Sequence, residues 1–134
     1  MLIAYGSTVS VAMDAAKALA KRGVPTGVCL LESLAPYTEA AAALAAKAEK
    51  GSALLFLEEG IRTGGAGMCL FDALLRERAS FLEEHAWDIL AVDGHFAAPD
   101  RPCSLSAFCG LDEASVVARV LRMTGKSGKE MKEL

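Results

Sequence analysis

The side chains with the most chemical potential cluster near the middle of the chain, in Leu57-Glu58-Glu59-Gly60-Ile61-Arg62-Thr63-Gly64-Gly65-Ala66-Gly67. Two adjacent carboxylates ending an apolar run are capable of acid–base work, because proximity raises the pKa of one of them. The run Gly64-Gly65-Ala66-Gly67 opens a helical pattern. Its exposed N–H groups are able to hold a phosphate or carboxylate, with Arg62 as counter-charge. Glu58, Glu59, Arg62, Gly64, Gly65 and Gly67 are therefore the candidate anion-binding or interface residues. The pattern is neither GxGxxG nor a P-loop, and no Lys-Ser/Thr pair follows it. A plainer account competes with ligand binding and is favoured. In it the glycines let the helix start close to a sheet, while a glutamate accepts hydrogen bonds from neighbouring loop N–H groups.

The remaining reactive side chains form no recognisable machinery. Gly6-Ser7-Thr8 follows the first apolar run, where Ser7 or Thr8 serves as a helix cap more readily than as a ligand contact. His95 follows Asp93-Gly94 and would join Glu58 and Glu59 in a stand-alone acid–base enzyme. No nucleophile, metal pair or cofactor cradle accompanies them, so that reading is the weakest. His85 is expected in solvent. Of the four cysteines, Cys29 and Cys69 read as buried packing thiols, and a zinc site from His95, Cys103 and Cys109 matches no standard spacing. No catalytic, cofactor-binding or metal-ligating residue is assigned.

The elements that must position these groups alternate along the chain. Apolar runs at Leu2–Tyr5, Val24–Leu31, Ala53–Leu57 and Trp87–Val92 read as buried strands. Between them lies a helix with Val9, Ala12, Met13, Ala16, Leu19 and Ala20 inward, closed by a left-handed Gly23. A second helix runs from a Thr38 cap to about Glu49, with Ala41, Leu44, Ala45 and Ala48 inward. A third places Met68, Phe71, Leu74 and Leu75 on one side. Asp112 caps the last, whose inward residues are Val116, Val117, Val120 and Leu121. Strands separated by helices imply an α/β domain with a mainly parallel sheet covered on both faces. Right-handed crossovers favour the order 2-1-3-4, with a switch point between strands one and three. Residues 1–124 are expected to form one domain and the charged residues 125–134 a flexible tail.

Composition narrows the function further. With 134 residues, 53% of them hydrophobic, the chain has one domain's worth of core and is no disordered segment. A net charge of −3 gives no support for nucleic-acid or anionic-membrane partners. No apolar run approaches the ~18 residues needed to span a bilayer. The N-terminus has no secretory pattern, and a cytoplasmic location with reduced cysteines is expected.

Taken in order, these pieces resemble the C-terminal domain of the transketolase family, closest to its 1-deoxyxylulose-5-phosphate synthase-like members. Ile3-Ala4-Tyr5-Gly6-Ser7 looks like that domain's first parallel strand and turn, and Ala12, Ala15, Ala16 and Leu19 its following helix. Leu31 to Pro36 is similar to the exit of strand two. Leu57-Glu58-Glu59-Gly60 followed by Gly64-Gly65-Ala66-Gly67 resembles the family's Glu-Glu then Gly-Gly-Phe-Gly pattern, with Ala66 in place of the aromatic. Gly110-Leu111-Asp112 is similar to the closing motif, and the resemblance extends from Leu2 to about Thr124.

The resemblance implies a three-layer α/β/α domain that is itself non-catalytic and contributes to architecture and subunit contacts. Family members usually carry an antiparallel strand before the first parallel one, and this sequence starts too late to include it. The family's His-Gly pair is not reproduced around His95, so no role transfers there. In the parent enzymes thiamin diphosphate and magnesium sit in the two preceding domains, and the Gly-Asp-Gly…Asn pattern that holds them is absent here. The implied partners are other domains or subunits of the parent enzyme, as a homodimer. The alternative is a small anion- or phosphate-binding regulatory module built on the Gly-rich loop.

Overall fold

The computed structural model describes residues 1–93 and 105–126. Four strands are formed: β1 (Leu2–Ala4), β2 (Val28–Leu30), β3 (Ala53–Ile61) and β4 (Ala86–Val92). The helices are α1 (Thr8–Lys21), α2 (Tyr37–Lys47), α3 (Ala66–Glu77), a short α4 (Leu105–Phe108) and α5 (Glu113–Met123), with a 3-10 turn at Phe81–Glu83. The strands make one parallel sheet in the order β2-β1-β3-β4, the simplest of the few doubly wound orders that right-handed crossovers allow.

Side-chain alternation divides the core between the two faces of this sheet. Leu55 and Leu57 of β3, with Leu2 and Ala4 of β1, pack under Ala12, Ala15 and Leu19 of α1 and Val116, Val117 and Val120 of α5. Leu54 and Phe56, with Ile3 and Ile89, pack on Ala41 and Leu44 of α2 and Leu70, Phe71 and Leu74 of α3. The result is a three-layer α/β/α domain.

Helix boundaries follow local chemistry in most places. At the end of α1, Gly23 has φ +69° and donates to the Ala20 carbonyl, while Val24 donates to that of Leu19, a left-handed stop that spares every side chain strain. The end of α5 repeats the device, with Gly125 donating to Arg122 and Lys126 to Leu121. These two residues, assigned to the tail by sequence, thus complete the helix; residues 127–134 lie outside the described residues. Asp112 caps α5 by accepting from the Ser115 amide at 3.2 Å.

Several expectations are corrected. α2 begins at Tyr37 after Pro36, one residue before the anticipated Thr38 cap, and ends at Lys47 instead of Glu49. β2 is confined to three residues, because only Val28–Leu30 register with β1. Met13 and Ala20 of α1, and Met68 and Leu75 of α3, face outward. Cys69 is exposed, whereas Cys29 is half-buried and its burial pushes the thiol pKa up. His85 is buried at 5% exposure, its ring against Phe81 and its Nδ1 3.1 Å from the Ser52 carbonyl oxygen.

Asp112→Ala is expected to lower stability by about 1 kcal/mol, and Asp112→Asn by much less, because only the alanine removes the acceptor at the start of α5. Urea midpoints of the two variants check this.

Candidate functional site

The alternation of β3 continues through its two glutamates and sends them to opposite faces. Glu58 lies on the α3 side. It is 2% exposed, and its carboxylate accepts from the Tyr5 hydroxyl at 2.5 Å and from the Gly67 amide at 2.8 Å. The carboxylate therefore occupies the N-terminus of α3, where unpaired amides and the helix dipole favour negative charge. Burial, then the hydrogen bond to Glu58 and the charges of Glu58 and Glu59, push the Tyr5 pKa up to about 12. Tyr5 thus stays protonated and donates.

Two glycines are required by this close approach. A Cβ on Gly65 would lie 2.3 Å from the Ile61 carbonyl oxygen and 2.7 Å from Glu58 Oε2. One on Gly67 would lie 2.9 Å from Phe56 Cδ1 and 3.0 Å from Ile89 Cγ2. Gly64 contributes differently, through a φ of +74° at the turn.

Glu59 faces the α1 side, at the carboxyl end of the strands where the chain's crossover direction reverses. It lines a cavity of about 200 Å³ with Ser7, Thr8, Val92, Cys109 and Leu111. A Cβ on Gly6, whose φ is +56°, would lie 3.2 Å from Glu59 Oε2. Thr8 Oγ1 donates to the Tyr5 carbonyl at 2.6 Å and accepts from the Tyr5 amide at 3.2 Å, while Ser7 makes no side-chain cap. The Gly6-Ser7-Thr8 turn is thereby closed on itself. With the sheet between them, Glu58 and Glu59 do not form the adjacent acid–base pair that their sequence order suggested.

Arg62 is also carried away from the glycine loop. Its Nη1 donates to the Ile89 carbonyl and its Nη2 meets Asp88 Oδ1 at 3.1 Å. Asp88 Oδ2 in turn meets Arg119 Nη1 of α5 at 2.8 Å. Two guanidinium groups share one carboxylate, joining the exit of β3, the strand β4 and α5. Sequence reasoning passed over Asp88, Arg119 and the partnership of Tyr5 with Glu58. A usable signal existed for Asp88, since a lone acid within the apolar run of β4 must find a partner. His95 and Cys103 lie outside the described residues. Among the described residues no three His, Cys, Asp or Glu side chains gather as a metal site.

Glu58→Ala is expected to cost about 3 kcal/mol, because it strands the Gly67 amide and the Tyr5 hydroxyl in a buried setting. Glu59→Ala is expected to cost no more than about 0.5 kcal/mol, as an exposed change; chemical denaturation of both checks the contrast. The raised Tyr5 pKa makes the folded state hold one more proton than the unfolded chain between about pH 10 and about 12. Stability should therefore fall as pH rises through that window, and this component should vanish in Tyr5→Phe.

Comparison with known proteins agrees with this architecture. The profile of the family described as "Transketolase, C-terminal domain" matches residues 1–116. A solved structure titled "Split gene transketolase, inactive beta4 tetramer" superposes with a TM-score of 0.71 at 24% identity, a likeness of fold. That match covers 94% of this chain, which spans 38% of the length of the other. No curated protein matches the chain in sequence. With the parallel sheet, the Glu-Glu strand end and the glycine-opened α3 all in place along the matched residues, the chain belongs to the transketolase C-terminal domain family.

Proposed function

We propose that this chain is the non-catalytic closing domain of a thiamin diphosphate-dependent transferase of the 1-deoxyxylulose-5-phosphate synthase-like type. It acts by packing against the other domains or subunits of that enzyme, in a cytoplasmic homodimer. The observation that carries the reading is the fate of Glu58: its carboxylate is consumed by Tyr5 and Gly67 inside the fold. A carboxylate committed to two internal donors holds a helix in place and has no open side for substrate. Arg62 is likewise committed, to Asp88 and Ile89.

The donor set bears on the cofactor as well. Thiamin diphosphate supplies the chemistry that moves a ketol unit, and its diphosphate needs a magnesium ion held by clustered oxygen ligands. The residues described here offer no such cluster, and the sequence has no Gly-Asp-Gly segment. The cofactor belongs, in this reading, to other domains of the parent enzyme, as the family resemblance implies. Apolar side chains left on the outside supply material for packing. Trp87, 42% exposed, lies against Phe71 with ring centroids 4.8 Å apart, and Met68 and Leu75 stand out from α3. No helix among the described residues is long and apolar enough to cross a membrane.

Calorimetry of the chain with thiamin diphosphate and Mg²⁺ tests the proposal. No micromolar binding is expected from the chain alone, and micromolar binding would overturn the non-catalytic reading.

A further inference from the structure

Three arginines of this domain line a cavity that the packing role does not use. It has a volume of about 420 Å³ and lies between the exit of β3, the end of β4 and α5, with Arg62, Arg119, Arg122, Ser115, Asp93 and Phe108 among its walls. Ser115, Arg119 and Arg122 are spaced four and three residues apart on α5, so their side chains share one helix face. Arg62 lines the same cavity from the exit of β3. Among the described residues three guanidinium groups thus stand with two carboxylates, Asp93 in the wall and Asp88 holding Arg62 and Arg119, leaving a positive excess.

The hydrogen-bonding state of these groups points to the sign and shape of what fits. Arg119 is fixed by Asp88 through Nη1 alone, and its Nε is buried with no acceptor. The Nε–Nη2 edge, the fork that matches two oxygens of a planar or tetrahedral anion, has no partner among the described residues. Arg122 makes no side-chain ion pair or hydrogen bond among the described residues. Asp88 accepts from Arg62, from Arg119 and from the Ile89 amide, so it holds two of the guanidinium groups in place and has little capacity for a third.

We infer that this cavity is a binding site for a phosphate group, whether inorganic phosphate or the phosphate of a small phosphomonoester. The geometry assigns Arg119 and Arg122 as the primary contacts and Ser115 as a hydroxyl donor, while Arg62, held by Asp88 and Ile89, contributes its charge alone. The site lies across the sheet from the glycine loop and uses none of its amides. The inference goes beyond the packing role and does not rest on it.

The test uses the intact chain, titrated with inorganic phosphate and with glycerol 3-phosphate at ionic strength held constant with chloride. Binding is read from the ¹H–¹⁵N resonances of the Ser115 and Ala118 amides and of Arg119 Nε. Saturable shifts at these positions are expected with both probes. Arg122→Ala should weaken binding about tenfold, the loss of one charge-assisted contact. Arg119→Lys should weaken it likewise, since it keeps the charge facing Asp88 but removes the fork. Tighter binding of glycerol 3-phosphate than of phosphate would identify a phosphomonoester site, and equal binding a site for the free ion. Dispersed amide spectra of both variants establish that they are folded. Shifts that fail to saturate, that chloride or acetate reproduces, or that persist unchanged in both variants would overturn the assignment.

Discussion

A single buried carboxylate holds three elements of this domain together. Glu58 ends the apolar part of β3 at 2% exposure, a position where an unpaired charge would cost several kcal/mol. Its burial is offset because Gly67 at the start of α3 and Tyr5 at the end of β1 each donate to it. The dipole of α3 adds to the same balance. The arrangement sets the distance between α3 and the sheet, and that distance explains why side chains are excluded at Gly65 and Gly67. Phe56 and Ile89 then fill the space that a Cβ at Gly67 would have taken.

The same interaction decides what the carboxyl edge of the sheet can do. Doubly wound folds commonly bind ligands at the switch point, where helix N-termini and loops converge. Here α3 meets the chain's own Glu58, and Glu59 stands beside Gly6 at the start of α1. At α3 a carboxylate of the protein occupies the place that a helix N-terminus offers to a bound anion. The positive excess has instead moved around the sheet to the α5 side, through Arg62, Arg119 and Arg122. The chain belongs to the transketolase C-terminal domain family and spans 38% of the length of the solved structure whose fold it shares.

How far the chain could be read in advance depended on whether the controlling forces were local. Gly23 and Asp112 were legible as helix stops and starts because a positive φ and a side-chain cap are decided within a few residues. The inward stripe of α5 was legible because Val116, Val117, Val120 and Leu121 place its large aliphatic side chains on one side at helical spacing. α3 was harder. It carries apolar residues around much of its circumference, so periodicity alone did not orient it. Once Gly67 must touch Phe56 and Ile89, the inward stripe becomes Gly67, Leu70, Phe71 and Leu74. Met68 and Leu75, each about 100° further round, then turn outward with Cys69.

The amino-acid sequence by itself determined the succession of elements and the family resemblance and narrowed the strand order to a few, of which β2-β1-β3-β4 is the simplest, because hydrophobic period, caps and crossover handedness are properties of short segments and of chirality. It also contained the Glu-Glu and glycine residues, but not their relation. Only the tertiary structure carried β3 on through the two glutamates, turned Arg62 towards Asp88 and buried His85 with its Nδ1 near the Ser52 carbonyl. Those outcomes depend on pairs distant in sequence, Tyr5 with Glu58 and Asp88 with Arg119 among them. Such pairs come together only after the sheet has formed, which is why no local pattern announces them.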